Sequence, residues 1–195
     1  MSTPPPVVRR LESSGAAELA ALASTFDELQ TVLLCCERLL TELSAAADGD
    51  NLAVEALWTT AMLSYGRCFA GDSPTLGDED LNTVHPDGDA LRWHRILLEL
   101  RDHYGAAVAN PREAFTVGVA QDDAGAACGI TISSASQPRV DVTTVRQAGA
   151  IAYALSSLVD ERIGARQQAL LDEVRDRPPE SLEQLPRVDL AVPSG

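Results

Sequence analysis

The residues of this sequence that look most like a functional motif are Arg101 and Asp102, within the stretch from Ala90 to Asn110. An arginine next to an aspartate can belong to a binding or catalytic site, or it can form an ordinary ion pair in solvent. Arg101 can pair with Asp102, with Glu99 or with an acidic residue on a facing helix, and such ion pairs are the commoner role of an arginine. Both interpretations stay open at this point.

The common catalytic signatures are absent from the sequence. It contains no GxGxxG, no Walker loop, no GxSxG and no HExxH, so the usual nucleotide, hydrolase and zinc-protease motifs are missing. The four cysteines, Cys35, Cys36, Cys68 and Cys128, form no CxxC pair, and neighbouring cysteines on a helix point about 100° apart. We interpret all four as small buried hydrophobic residues and expect neither a metal nor a cofactor.

The three histidines do not suggest a ligand set. His94 and His103 are nine residues apart, which places them on opposite faces of one helix. His85 stands beside Pro86 in an acidic loop, and we expect it to be exposed without a ligand role.

The stretch from Ala90 to Asn110 is predicted to be a helix with its candidate residues on the polar side. Arg101 and Asp102 lie there among other polar side chains, and the opposite face should be core. Pro111 disfavours the helical conformation at the residue before it, so Asn110 should be the last helical residue. The predicted core face repeats at spacings of three and four: Trp93, Ile96, Leu97, Leu100, Tyr104 and Val108.

Length and composition favour one mainly helical domain. The chain has 195 residues, 45% hydrophobic and 4% aromatic, a balance that suits helices packed through aliphatic side chains. Its 15 basic and 29 acidic residues give a formal charge of -14, which disfavours nucleic-acid binding. We find no apolar run of transmembrane length and no signal-peptide pattern, and we expect a cytosolic protein without membrane contact.

The remaining chain is predicted to supply three more helices and two tails. The first helix has an apolar seam from Leu19 to Leu43 that fits a bundle face or a dimeric coiled coil. Thr25 and Glu28 resemble a capping box, although the unbroken seam favours one continuous helix. We predict a flexible tail at 1–14, helices at about 16–43 and 52–69, an acidic loop at 71–89, a helix from Asp141, Thr143 or Thr144 to Pro178, and an extended tail at 179–195, so that the helical domain spans 15–178.

A β-hairpin is predicted at about 113–134, between the third and fourth long helices. Phe115, Val117 and Val119 alternate with small or polar residues, and the pattern resumes after a turn at Ile130 and Ile132. Because a single hairpin is not stable alone in water, we expect it to lie against the helices or to pair with a partner's hairpin.

Two segments carry a resemblance to a known family. ALWTTAMLSYGRCFAG, residues 56–71, and LRDHYGAAVANPREAF, residues 100–115, resemble a family of uncharacterised bacterial and phage proteins common in actinobacteria. Its members are similar to the HEPN superfamily, whose members are small helical bundles, usually dimeric, and often metal-independent RNases. The resemblance implies a four-helix bundle and a homodimer.

The resemblance also implies a degenerate RNase motif. HEPN RNases carry an arginine, a polar residue, four variable positions and a histidine, and these groups activate a ribose 2'-hydroxyl and stabilise the scissile phosphate. Arg101 and Asp102 match the first two, but Ala107 replaces the histidine. A methyl group cannot transfer a proton, and the loss of a positioned acid or base costs about 10²- to 10⁴-fold in rate. His103 lies about 200° around the helix from Arg101, so it points elsewhere and cannot take the place of the missing histidine.

We therefore predict a non-catalytic, HEPN-like cytosolic interaction protein, of phage or mobile-element origin, that binds an unknown protein partner. The candidate binding residues are Arg67, Arg101, Asp102 and Asn110, and Arg67 either bonds helix ends or contacts a ligand. Two alternatives stay open. One is a HEPN-type endoribonuclease centred on Arg101, and the other is an acidic nucleic-acid mimic.

Overall fold

The computed structural model describes residues 7–45, 51–71, 74–84, 89–105, 110, 112–136 and 140–188. Helices account for 68% of these described residues, and a two-stranded antiparallel hairpin is the sheet among them. The elements are α1 (Ser14–Ala45), α2 (Asn51–Arg67), α3 (Asp78–Val84), α4 (Ala90–Gly105), β1 (Glu113–Gln121), β2 (Ala127–Ser136), α5 (Val142–Arg175) and α6 (Pro179–Glu183).

The mainly helical fold with one hairpin is confirmed. Helices α1, α2, α4 and α5 match the four predicted helices, and the hairpin lies between α4 and α5 as expected. Two short helices were not predicted: α3 lies within the predicted acidic loop, and α6 lies within the predicted extended tail.

The chain forms two compact units. One unit is Glu28–Ser156, and the other combines the two ends, Met1–Asp27 and Ser157–Gly195. The first unit contains α2, α3, α4 and the hairpin, together with parts of α1 and α5. Its core is built from Leu76, just before α3, and from buried side chains of five helices, which include Leu29, Val32, Leu39, Trp58, Met62, Tyr65, Leu81, Leu97, Val145, Ala148 and Leu155.

Helix α1 is continuous, as the unbroken apolar seam predicted. Ser13 caps its start, because the Ser13 hydroxyl accepts a hydrogen bond from the Ala16 amide at 3.1 Å. The buried stripe is rotated slightly from the predicted seam, since Val32 and Leu39 are fully buried while Leu33 and Leu40 are half-buried. The stripe packs within the chain, where a Cβ on Gly149 of α5 would lie 3.6 Å from the Cβ of Cys36.

Helix α3 forms because its short sequence contains a complete N-terminal signal. The carboxylate of Asp80 accepts a hydrogen bond from the Gly77 amide at 2.9 Å, which satisfies a group at the start of the helix. Leu76 and Leu81, on either side of that cap, are both buried. The prediction of a loop across 71–89 was therefore wrong for residues 78–84, because three acidic residues in a first turn stabilise a helix.

Helix α5 begins at the predicted cap and buries the predicted face. The Asp141 carboxylate accepts a hydrogen bond from the Thr144 amide at 2.7 Å, which identifies Asp141 among the three candidate caps. The first five residues of the apolar series predicted for this helix are all buried: Val145, Ala148, Ala152, Leu155 and Val159.

In the unit formed by the two chain ends, the N- and C-terminal segments pair. The Val188 amide donates to the Val8 carbonyl at 3.0 Å, and the Arg10 amide donates to the Pro186 carbonyl at 2.8 Å. The Arg9 guanidinium donates to the Leu185 carbonyl at 2.8 Å, just beyond α6. Residues 7–10 of the predicted flexible tail are thus paired, whereas residues 1–6 and 189–195 lie outside the described chain.

Three of the four cysteines behave as predicted. Cys35, Cys36 and Cys68 are buried, and burial raises the pKa of Cys36 and of Cys68 to about 12, so these thiols stay protonated. The prediction was wrong for Cys128, which is exposed on β2. The reason is that the hairpin, unlike the helices, is not packed into a core.

One helix of the described chain, Ser14–Ser44, is long and apolar enough to span a membrane by length and composition. Core helices of soluble proteins and signal sequences have the same properties. This helix buries its Leu22, Leu29 and Val32 stripe and carries charged residues elsewhere, such as Glu28 and Arg38.

Candidate functional site

The face of α4 that packs into the protein includes Arg101. Ala90, His94 and Leu97 are the buried residues of this helix, and their spacing of four and three continues to Arg101 four residues later. The Arg101 side chain is 31% exposed. The prediction that placed Arg101 on the polar side was therefore wrong, because the buried face is centred on Ala90, His94 and Leu97 rather than on the half-buried Trp93 and Leu100.

Arg101 lies against the backbone of α2 at Gly66. A methyl group added to Gly66 would overlap the Arg101 side chain at Cδ and would come within 3.2 Å of Nη1. Glycine therefore provides the space for the arginine stem at this crossing. This contact brings together the two segments that carry the family resemblance, one on α2 and the other on α4.

The Arg101 guanidinium is paired with its neighbour in sequence. Nε donates to Oδ1 of Asp102 at 2.9 Å, and Nη2 donates to the same oxygen at 2.6 Å. The Asp102 side chain is 70% exposed, so this is a pair at the protein surface that contributes little to stability. The cation is already neutralised by a carboxylate of the same chain.

Arg67 is directed toward a different carboxylate. Its Nη1 donates to Oε1 and Oε2 of Glu28 on α1 at 3.2 and 3.4 Å. Although Arg67 follows Gly66 in sequence, its guanidinium and that of Arg101 are held by separate acidic partners. The described contacts therefore do not combine the two arginines into one anion-binding site.

Asn110 has a local role at the start of the hairpin. Its Oδ1 accepts hydrogen bonds from the amides of Arg112 at 2.9 Å and Glu113 at 3.4 Å, an arrangement in which an asparagine side chain stabilises a turn. Arg112 pairs with Glu55 of α2 at 3.5 Å. The prediction that Asn110 is the last helical residue was wrong, since Asn110 is not helical; the described part of α4 is Ala90–Gly105, and Ala107, Val108 and Pro111 lie outside the described residues.

A buried polar cluster that the sequence did not reveal lies beside Arg101. The Tyr65 hydroxyl and Nδ1 of His94 share a hydrogen bond of 2.8 Å, and the His94 ring packs on Phe69 with 4.3 Å between centroids. Burial lowers the pKa of His94; the Asp78 carboxylate opposes this effect, and Arg95 and Arg101 add to it. Burial also raises the pKa of Tyr65, so its hydroxyl stays protonated and can donate to the neutral histidine.

This arrangement is suited to packing rather than to proton transfer. His94 is 5% exposed and already hydrogen-bonded within the core. A general base must reach the proton that it removes, whereas Nδ1 of His94 is bonded to Tyr65 and the Asp102 carboxylate is paired with Arg101. Among the described residues, no group of three or more His, Cys, Asp or Glu side chains is arranged to hold a metal ion.

The hairpin presents a second candidate surface. Every residue of β2 is exposed, and no residue of β1 is buried. Its five large apolar side chains are each between 58% and 71% exposed: Phe115, Val117, Val119, Ile130 and Ile132. The hairpin was predicted either to lie against the helices or to pair with a partner's hairpin. Packing against the helices is not seen, because no described residue of the unit Glu28–Ser156 covers this apolar surface.

Comparison of the chain with family models, with curated proteins and with solved structures gives no match. The resemblance to HEPN proteins therefore stays a prediction, and function has to be argued from the residues and their geometry.

Proposed function

We propose that this protein is a non-catalytic cytosolic interaction protein, with its four long helices arranged as a HEPN-like bundle, and that it acts by binding another protein. The observation that carries this proposal is the uncovered apolar surface of the hairpin. Soluble proteins rarely leave a contiguous apolar patch of this size in water unless it is a binding surface. The patch consists of Phe115, Val117 and Val119 on β1 and of Ile130 and Ile132 on β2.

The environment of Arg101 argues against catalysis. Its guanidinium is neutralised by Asp102, and its stem is wedged against Gly66. The nearest buried histidine, His94, is hydrogen-bonded to Tyr65 and has a lowered pKa. An RNase needs an acid or base next to the reacting phosphate, and the carboxylate next to Arg101, that of Asp102, is already paired with the guanidinium.

The charge of the protein also favours a protein partner over a nucleic acid. A formal charge of -14 repels phosphate groups. The two candidate binding arginines, Arg67 and Arg101, are both paired with carboxylates. Displacement of Glu28 or Asp102 by phosphate would return a carboxylate to water and leave the net charge unfavourable.

The proposal predicts that the purified protein does not cleave RNA through Arg101. A labelled mixed RNA pool would be incubated with the wild type, with Arg101→Ala and with Arg92→Ala, a matched variant that removes an exposed arginine from the same helix. We expect the three proteins to show the same low background rate of RNA cleavage. Cleavage by the wild type and by Arg92→Ala that falls about 10²-fold or more in Arg101→Ala would contradict the proposal.

A fourth protein in the same assay, Ala107→His, distinguishes a HEPN-like scaffold that has lost its activity from a protein that only binds a partner. Cleavage by this variant alone would support a HEPN-like scaffold that has lost its acid-base residue. Inactivity of all four proteins would agree with a purely interacting protein.

A further inference from the structure

One face of the hairpin is apolar and the other is small and polar. The strands pair in register, with Val117 opposite Ile132 and Val119 opposite Ile130, and directly opposed residues project to the same side of a sheet. Phe115 lies on that side as well. The other side carries Ala, Gly, Thr and Ser, as in the opposed pair Gly118 and Thr131. We call the side with Phe115, Val117, Val119, Ile130 and Ile132 the apolar hairpin face.

An uncovered hairpin of this kind is not stable in water. Two strands without a packed face are marginal at best, and they need a third strand or a surface against which to bury their apolar side chains. Within the unit Glu28–Ser156 the apolar hairpin face has no such cover, since all of its residues are more than half exposed. A surface that covers this face therefore has to lie outside the described residues of this unit.

We infer that the apolar hairpin face packs face to face on the same face of a second copy of this protein, so that the two hairpins form a small sandwich. This inference rests on the proposed function and names its partner. Adding a strand at the edge of the hairpin would leave the apolar side chains in water, whereas face-to-face packing removes them from it. Sheets of β-branched residues pack in this way at about 10 Å separation.

The size of the face is sufficient for a dimer. Five large side chains that are more than half exposed present on the order of 500 Å² of apolar surface. Two such faces in contact would remove on the order of 1,000 Å² from water, which reaches the lower limit of a specific protein interface. In a dimer with a two-fold axis, the same surface of each copy contacts the same surface of the other copy, so one apolar face per chain is enough to form the interface.

The distribution of charge also favours a second copy. At a formal charge of -14, two copies repel each other over most of their surface. In the two strands, Glu113 is the charged residue; it lies at the end of the apolar side, two residues before Phe115, where its carboxylate accepts a hydrogen bond from the Ser136 hydroxyl at 3.0 Å. The middle of the apolar hairpin face therefore carries no charge that would repel the same face of a second copy.

The test is the mass of the full chain in solution, measured by light scattering after size-exclusion chromatography at about 100 µM, a concentration well above the typical Kd of a specific dimer. A reductant is included so that exposed Cys128 cannot cross-link copies. We expect the wild type to have twice the 20.7 kDa mass of the chain. The mass is then followed on dilution to about 0.1 µM. Ile132→Lys, in the middle of the face, should fall to the single-chain mass at a concentration at least ~100-fold higher than the wild type does.

Two further variants make the result specific. Thr131→Lys adds the same charge on the opposite side of the hairpin and should stay dimeric. Ile132→Glu alone should be monomeric, but an equimolar mixture with Ile132→Lys should form a heterodimer because opposite charges then share the interface. The matching circular dichroism of all variants would confirm that each is folded.

A wild type of single-chain mass would overturn the inference, and so would a dimer that survives Ile132→Lys. If the wild type is monomeric and cleaves no RNA, the hairpin dimer is rejected, while the proposed non-catalytic role stands. Arg101-dependent RNA cleavage by a dimer would contradict the proposed function and leave the hairpin interface in place.

Discussion

Trp58→Ala is expected to lower the free energy of unfolding by about 3–5 kcal/mol, the usual cost of emptying a large buried aromatic site. Trp58 lies on α2 with 1% of its surface exposed, among the largest fully buried side chains of the described chain. A typical domain has a free energy of unfolding of about 5–15 kcal/mol. The variant should therefore lose a large part of its stability and unfold partly at 37 °C.

Urea unfolding followed by far-ultraviolet circular dichroism would measure this loss without depending on tryptophan fluorescence. Leu52→Ala is the matched control, since Leu52 is on the same helix with its side chain 64% exposed. It should cost about 0.5 kcal/mol or less. Equal losses in the two variants would contradict the placement of Trp58 in the core.

Gly66→Leu is expected to destabilise the protein by about 1–3 kcal/mol, because a side chain at this position must displace Arg101 from the α2 backbone. This net loss should appear although leucine has a higher helix propensity than glycine by about 1 kcal/mol. Thermal unfolding of the wild type and the variant would measure it. The control is Gly164→Leu on α5, where a Cβ would meet no atom within 4 Å, and stability should be unchanged or slightly higher.

A double-mutant cycle with Arg101→Ala identifies the clash as the cause. Removal of the Arg101 side chain should recover much of the stability lost in Gly66→Leu, since the added side chain then has room. If the two substitutions are simply additive, the contact between Gly66 and Arg101 is not the reason for the loss.

The long helices could be predicted from the sequence because their apolar residues repeat over many turns. The α5 series from Val145 to Val159 is an example in which every predicted core residue is buried. The orientation of α4 was harder to predict. Its buried face includes His94 and approaches Arg101, and a pattern that counts apolar residues cannot recognise a histidine satisfied by Tyr65 or an arginine stem packed on glycine.

Short elements and contacts between distant segments could not be predicted from the sequence either. Helix α3 depends on one carboxylate cap at Asp80 rather than on periodicity. The contact of Gly66 with Arg101 requires two helices to meet at one point, which no local pattern encodes. For the hairpin, the alternation of Val117 and Val119 predicted the strand, but whether the apolar face was covered depended on packing.

The most direct measurement of the central claim, that the apolar hairpin face is a binding surface covered by a second copy, is amide hydrogen exchange at protein concentrations of about 1 and 100 µM. Covered backbone hydrogen bonds exchange slowly, whereas those of an isolated hairpin open readily. We predict that exchange in Glu113–Gln121 and Ala127–Ser136 slows at the higher concentration in the wild type and in Thr131→Lys, but not in Ile132→Lys. Rapid exchange of the hairpin at both concentrations, with the α5 amides near Leu155 protected, would contradict the account.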